Sequence, residues 1–230
     1  LYTDISYLTA NAELTADMDA VFDHLANQNR LPRLRQLVIA PFALHGFLTG
    51  MIDAVGLAAE RGEGGRIVAK MNALTDAALM QALMRAAQRG ARVDLIVRGA
   101  CMLPAGVPGV TDNIRVRSVI GRFLEHTRVF YFRGGAKEDL YLSSADWMNR
   151  NMLRRVELAW PVTDRKLRQR IIDECLVAYL HDDRDAWRLE PDGSYRRAPR
   201  ALDGQGAQNA LMARYAPMAA GAAAHGKGGA

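Results

Sequence analysis

At 230 residues, half of them hydrophobic, the chain holds enough apolar material for one sizeable core, or for one domain with a piece of another attached. No apolar run approaches the roughly 18 residues that a membrane-spanning helix requires. The formal charge of +5 rests on arginine, since lysine occurs only at Lys70, Lys137, Lys166 and Lys227; arginine excess suits bidentate phosphate binding but names no partner.

The chain enters directly at LYTDISYLTAN, with no signal-peptide pattern, and this abrupt start leads us to expect a piece of a longer protein. Residues 1–12 read as extended. Leu14 to Asn27 reads as a helix with Met18, Val21, Phe22 and Leu25 on its apolar face and His24 off it, in solvent. After NRLPRLR, broken by Pro32, strands and helices alternate. The order is QLVIA (Gln36 to Ala40), a helix from Leu44 to Arg61, RIVAKM (Arg66 to Met71), a helix from an N-capping Asp76 to a stop at Gly90, and VDLIVRG (Val93 to Gly99). Such an alternation implies a parallel sheet with right-handed crossovers and ligands near the carboxyl ends of its strands. Pro41 to His45, Lys70 with Asn72, and Arg98 stand at those ends. Cys101 follows; with Cys175 it fits no metal-ligand or redox spacing, so no zinc site is indicated and both read as reduced thiols of a cytoplasmic protein.

The second half is β-rich. IRVRSVI (Ile114 to Ile120), RVFYFR (Arg128 to Arg133), DLYLSS (Asp139 to Ser144) and RRVELAWPV (Arg154 to Val162) read as strands, with Gly134 to Lys137 as a hairpin loop. A helix from Asp164 to Leu180 closes the sheet, and WRLEPDGSYRR (Trp187 to Arg197) makes a small hairpin around Pro-Asp-Gly. Beyond about Pro199 the Ala- and Gly-rich sequence lacks periodicity except around Leu211 to Tyr215, and reads as mobile. The glycine-rich RGEGGR and FRGGAK lack the spacing of a phosphate loop and fit connectors.

Chemistry concentrates in GRFLEHTRVFYF (Gly121 to Phe132) and YLSSADWMNRN (Tyr141 to Asn151). His126 and Arg128 alternate into an apolar strand, and a second strand ends in Ser143, Ser144, Asp146, Asn149, Arg150 and Asn151. A histidine can carry or relay a phosphoryl group or its proton while a guanidinium nearby holds phosphate oxygens. Read alone, a histidine at a strand start fits a structural role as well, and spacing does not separate the two. Phosphoryl transfer suits the cluster because it needs mainly positioning and charge neutralisation.

These two stretches, with IVAKMNALTD, DLIVRG, PGVPGVTDNIRVRS and the opening LYTD, closely resemble the C-terminal part of bacterial polyphosphate kinases of the first type, continuously from Leu1 to about Arg197. The resemblance implies an α/β fold of the phospholipase-D-like kind, a mixed β-sheet flanked by helices. Residues 1–36 would end a first such domain, 37–198 would form the second, and 199–230 a flexible tail. It also implies reversible transfer of the terminal phosphate of ATP to polyphosphate through a phosphohistidine upstream of Leu1, with Mg2+ ligands also upstream and no metal ligand in this chain. By the same resemblance Tyr2, Arg98 and His126 occupy nucleotide-binding positions, and His126 is a second histidine that protonates or stabilises the leaving phosphate. Lys70, Asn72, Arg128 and His45 become phosphate-contact candidates. At His45 related sequences tend to carry arginine. Asp146, Asn149 and Arg150 would support these contacts from behind. ATP or ADP and inorganic polyphosphate are the implied partners, within a homo-oligomer in the cytoplasm or peripheral to its membrane, with no nucleic acid and no transmembrane segment. Two rival readings are a phospholipase-D-like phosphodiesterase or nuclease acting as a dimer, and a non-enzymatic polyanion-binding module.

Overall fold

The apolar runs RIVAKM and VDLIVRG become the centre of a mixed sheet covered by helices on both faces. The computed structural model describes residues 1–199 and 204–225, and side chains up to residue 216. In chain order the elements are β1 (Tyr2–Thr3), α1 (Ala12–Asn27), β2 (Val38–Ala40), α2 (Leu44–Glu60), β3 (Gly65–Met71), α3 (Ala77–Gln88), β4 (Arg92–Val97) and β5 (Ile114–Val119). They continue as β6 (Leu124–Glu125), β7 (Val129–Gly134), β8 (Lys137–Ser143), α4 (Asn149–Leu153), β9 (Glu157–Pro161) and α5 (Arg165–Ile171). A π-helical stretch (Ile172–Val177), α6 (Ala178–Leu180), β10 (Ala186–Leu189), β11 (Tyr195–Arg197) and α7 (Ala207–His225) complete the chain.

Nine strands form one sheet in the order β11-β10-β5-β4-β3-β7-β8-β9-β2. β3, β4 and β5 are parallel, as expected from the alternation. β2 departs from it: QLVIA does not lie beside RIVAKM but at the far edge, antiparallel to β9. The meander β7–β8–β9, closed by a tight turn in which Gly134 pairs with Lys137 and Gly135 takes φ 59°, inserts between them. Hairpin partners are close in sequence and need no crossover, so they claim the edge of β3. Four successive antiparallel steps from β3 to β2 leave β2 pointing the same way as β3. The carboxyl ends of β2 to β5 and of β8 therefore share one edge with the amino ends of β7 and β9, and this edge carries the site.

The sheet has two faces because strand side chains alternate. Ile67, Ala69 and Met71 pack with Leu48, Ile52, Leu79 and Leu83 from α2 and α3. Val68 and Ile96 pack with Leu176 and Tyr179 on the opposite side. Asp76 caps α3 through Leu79 N at 3.0 Å, and Gly90 ends it with φ 97°, both at the positions read from sequence.

Other elements differ from expectation. Residues 1–12 contribute only the two-residue β1. In α1 the buried stripe is Leu14, Asp17 and Val21, while Phe22 and Leu25 point outward at 59% and 49% exposure. The rotation follows Asp17, whose carboxylate accepts the backbone N–H groups of Arg35, Gln36 and Leu37 and so draws that loop onto the helix. Where a mobile tail is expected, α7 is helical and docked: Ala207 N donates to Asp182 Oδ2 at 2.7 Å, and Gln208 is buried. The His225 side chain lies outside the described residues. Among the described residues, no helix is long and apolar enough to cross a membrane.

Candidate functional site

The site begins with a strand pair of two residues on each side. β1 lies parallel to β6 with Tyr2 opposite Leu124 and Thr3 opposite Glu125. Leu124 N donates to Leu1 O and His126 N to Thr3 O, both at 3.1 Å. This pairing draws LYTD alongside FLEHTR and sets Asp4 against His126, with Asp4 Oδ2 2.7 Å from His126 Nδ1. The Tyr2 ring meets the imidazole edge-on, centroids 5.3 Å apart. A carboxylate at Nδ1 keeps the proton there and leaves Nε2 as the acceptor nitrogen, with Arg128 Nη1 3.5 Å from it and the ring 39% exposed.

Behind the imidazole, β7, the end of β3 and the turn after β8 are tied together. Arg128 forks onto Asp146, Nε to Oδ1 at 3.1 Å and Nη2 to Oδ2 at 3.0 Å, and its Nη1 donates to the carbonyl of His126 at 3.0 Å. Asp146 Oδ1 also accepts Asn72 N at 2.7 Å. Asn72 Nδ2 reaches His126 O at 3.4 Å, and Asn72 Oδ1 accepts Arg98 Nε at 3.2 Å. The His126 carbonyl is thus fixed by the paired guanidinium and an amide, and its N–H by Thr3 O. The side chain projects outward from that frame.

The turn SSADWMNRN is itself held from below. Ser144 Oγ and Asn151 Nδ2 each donate to Glu157 at 2.6 Å, and the carbonyl of buried Trp147 accepts Thr75 N and Asp76 N. These contacts press the turn after β8 against the turn after β3.

On the inner side of the same strand, Glu125 is a buried hub. Its Oε2 accepts Thr3 Oγ1 at 2.8 Å and Lys70 Nζ at 2.6 Å, and its Oε1 accepts Tyr179 OH at 2.9 Å and Gln208 Nε2 at 2.5 Å. Lys70 Nζ also lies 3.6 Å from the centroid of the Tyr179 ring. Burial first, and then the Glu125 charge, push the Tyr179 phenol far above its ordinary pKa, so it stays a donor.

The residues singled out from sequence separate accordingly. Tyr2 and His126 come together, and Arg98 joins them through Asn72. Lys70, expected at phosphate, is instead 2% exposed and paired with Glu125, because its position in β3 faces the α6 side of the sheet. Arg128 gives its fork to Asp146, so it braces the histidine strand. His45 Nε2 lies 3.0 Å from Asp76 Oδ1, at the start of α3. Asp146 is buried in the frame; Asn149 and Arg150 are exposed, and the described side-chain bond of Arg150 runs to Met148 Sδ at 3.8 Å. Sequence reasoning missed Asp4 and Glu125. Both lie inside the motifs LYTD and FLEHTR, and the acid in each motif was the signal to follow.

Mg2+ finds no fitting donor set here. Asp4 serves His126, Asp146 serves Arg128 and Asn72, and among the described residues no cluster of three or more acidic, His or Cys side chains is suited to a metal.

The family model described as polyphosphate kinase C-terminal domain 2 matches residues 37–210. The polyphosphate kinase of Paraburkholderia phytofirmans is 46% identical over 94% of this chain, and that of Pseudomonas putida 49% identical over 86%. This chain spans only 31% and 27% of those proteins, under a third of their length. The crystal structure of the polyphosphate kinase from Porphyromonas gingivalis matches over 91% of this chain and 32% of its own, with a TM-score of 0.83 and 35% identity.

Proposed function

The chain belongs to the polyphosphate kinase family, as its C-terminal region, and from that premise we propose that it supplies one side of a composite centre for reversible phosphoryl transfer from ATP to polyphosphate. The observation that carries this reading is His126, part-exposed, held by Asp4 at Nδ1 and with the Arg128 guanidinium 3.5 Å from Nε2. In the forward direction a histidine supplied from outside these residues attacks the terminal phosphate of ATP, becoming phosphohistidine as the bond to ADP breaks, and then passes the phosphoryl group to the end of the polyphosphate chain. His126 Nε2 donates its proton, or a hydrogen bond, to the oxygen leaving with ADP and stabilises the charge that develops there. Asp4 fixes the ring and offsets the positive charge of the protonated imidazole. Arg98, whose Nε is taken by Asn72, presents its terminal nitrogens to phosphate oxygens, and Tyr2 walls the nucleotide side. Arg128 and Asp146 position His126 rather than touch substrate.

The same reading places residues 1–36 at the end of a preceding phospholipase-D-like domain and 37–198 in a second one. The family match starting at residue 37 supports that boundary. Mg2+ travels with ATP, and no residue of this chain is assigned to it. The cytoplasm is the implied compartment, and a homo-oligomer the implied assembly.

Replacing the matching region of the P. putida enzyme by this chain tests the reading. The chimera should make polyphosphate from ATP, and His126→Ala should abolish synthesis with the circular dichroism spectrum unchanged. Undiminished turnover in that variant removes His126 from the mechanism. Incubated alone with γ-labelled ATP, the chain should acquire no stable label; a labelled chain would move the nucleophile into these residues.

A further inference from the structure

On the sheet face that carries Val68 and Ile96, arginines oppose each other strand by strand. Arg117 of β5 pairs in register with Arg188 of β10, and Arg188 with Arg196 of β11. Arg115 lies two residues from Arg117 and so on the same face. Like charges directly opposed across a sheet are destabilising, so a row of this kind calls for an anion. The protein supplies it only in part, through Glu190 in the slot wall. Among the described residues no ion pair reaches Arg115, Arg117 or Arg188, and Arg196 only approaches Glu190, at 4.0 Å. Nearby carboxylates are occupied: Asp94 is paired with Arg66 and Arg92, and Asp182 accepts the backbone N–H groups of Arg184, Asp185 and Ala207.

A cavity stands where that anion would lie. β10 stays in register with β5 only as far as Arg117, while β5 extends back to Ile114. The gap is a polar slot of about 390 Å³ walled by Arg115, Arg117, Arg188, Glu190 and Pro191. Arg117 is the inner wall, half-buried with one nitrogen on Tyr179 O at 3.2 Å; burial, and next the Arg188 charge, depress its pKa. The residue after it, Ser118, donates to the carbonyl of Arg98 at 2.8 Å. The row thus starts one residue from a contact with the arginine of the nucleotide site.

We propose that this slot and the arginine row beside it form a second docking site, for a condensed phosphate chain held away from the reacting end. Three strands at the usual spacing set the row at roughly 10 Å, longer than a single phosphate group, which selects several linked phosphates over orthophosphate. The choice of condensed phosphate rests on the function proposed above; the anion site itself rests on the unpaired arginines.

Calorimetry on the 230-residue chain with long-chain inorganic polyphosphate, orthophosphate and ATP tests it. Arg115, Arg188 and Arg196 are exposed, so the triple variant Arg115→Gln, Arg188→Gln, Arg196→Gln should fold and, with the opposed charges removed, melt at or above the wild-type temperature. It should bind polyphosphate roughly tenfold or more weakly, with ATP affinity unchanged, while His126→Ala should keep polyphosphate binding at the row. Equal polyphosphate affinity in wild type and triple variant overturns the proposal. So does tighter binding of single-stranded DNA than of polyphosphate at matched charge, which would make the row a nucleic-acid surface. Failure of the functional reading has a different signature: ATP affinity indifferent to His126→Ala, with the loss in the triple variant still present.

Discussion

Asp4 and His126 lie 122 residues apart in sequence and 2.7 Å apart in space, joined through a strand pair only two residues long. On the function proposed above, the carboxylate sets which ring nitrogen meets the nucleotide. In the P. putida chimera, Asp4→Ala should lower kcat by about a hundredfold or more, with a smaller change in KM for ATP. Asp4→Asn, which can still accept from Nδ1–H but brings no charge, should fall between. Steady-state rates give the ordering; an Asp4→Ala enzyme as fast as wild type would leave the pair without a catalytic role.

The Arg128–Asp146 fork is a question of stability. Asp146→Ala strands a guanidinium that is only 12% exposed and the N–H of Asn72. Removing one partner of such a buried pair costs about 3–5 kcal/mol. Urea unfolding should show that loss. Arg128→Lys, which keeps the charge but not the fork, should lose less. A midpoint unchanged by Asp146→Ala would mean that water replaces the carboxylate.

Lys70 and Glu125 should behave as a coupled pair. Lys70→Met alone leaves the Glu125 charge buried among Thr3, Tyr179 and Gln208, and should destabilise by about 3 kcal/mol or more. Adding Glu125→Gln should recover much of that loss, because an uncharged amide still accepts from Tyr179. If the two single losses simply add in the double variant, the ion pair is not the coupling between them.

Alkaline sensitivity should trace to the helix covering this pair. Burial pushes the Cys175 thiol up from 9.0 to about 11. A group raised in the folded state contributes stability that is complete below its unfolded pKa and lost as pH rises through the folded one. The loss should therefore run from about pH 9 to 11 and amount to about 2–3 kcal/mol. Denaturant midpoints measured across that window should slope less in Cys175→Ala, and iodoacetamide at pH 8 should label native Cys175 far more slowly than the unfolded chain. An equal slope in the variant would assign the alkaline loss to another group, with Tyr179 the next to substitute.

Elements were legible where their determinants are local. Asp76 and Gly90 bracket α3, and Gly135 closes a hairpin, because caps and turns use residues a few positions apart. Partners distant in the chain were not. The strand QLVIA carries no mark that a later meander will separate it from RIVAKM. Lys70 sits in a run whose neighbours on both faces are apolar, so its burial depends on Glu125, 55 residues away. The helix α7 was hidden for another reason: an alanine-rich stretch has high helix propensity but no periodic face, and its docking depends on Gln208, whose amide bonds Phe123 N and O, each at 2.9 Å. At the site the motif residues were visible and their roles were not, since only the contacts distinguish the part-exposed imidazole of His126 from the committed guanidinium of Arg128.

Glu125 and His126 are consecutive, one turned in to the Lys70 hub and the other out to Asp4. A shift of one residue in the pairing with β1 would exchange them, turning an acid outward and burying the imidazole beside an ammonium. Such a shift would cost the buried hub and the Asp4–His126 contact in the same step. The two-residue strand works as a proofreading mark: folding stability and the orientation of the reactive ring are read from the same alignment.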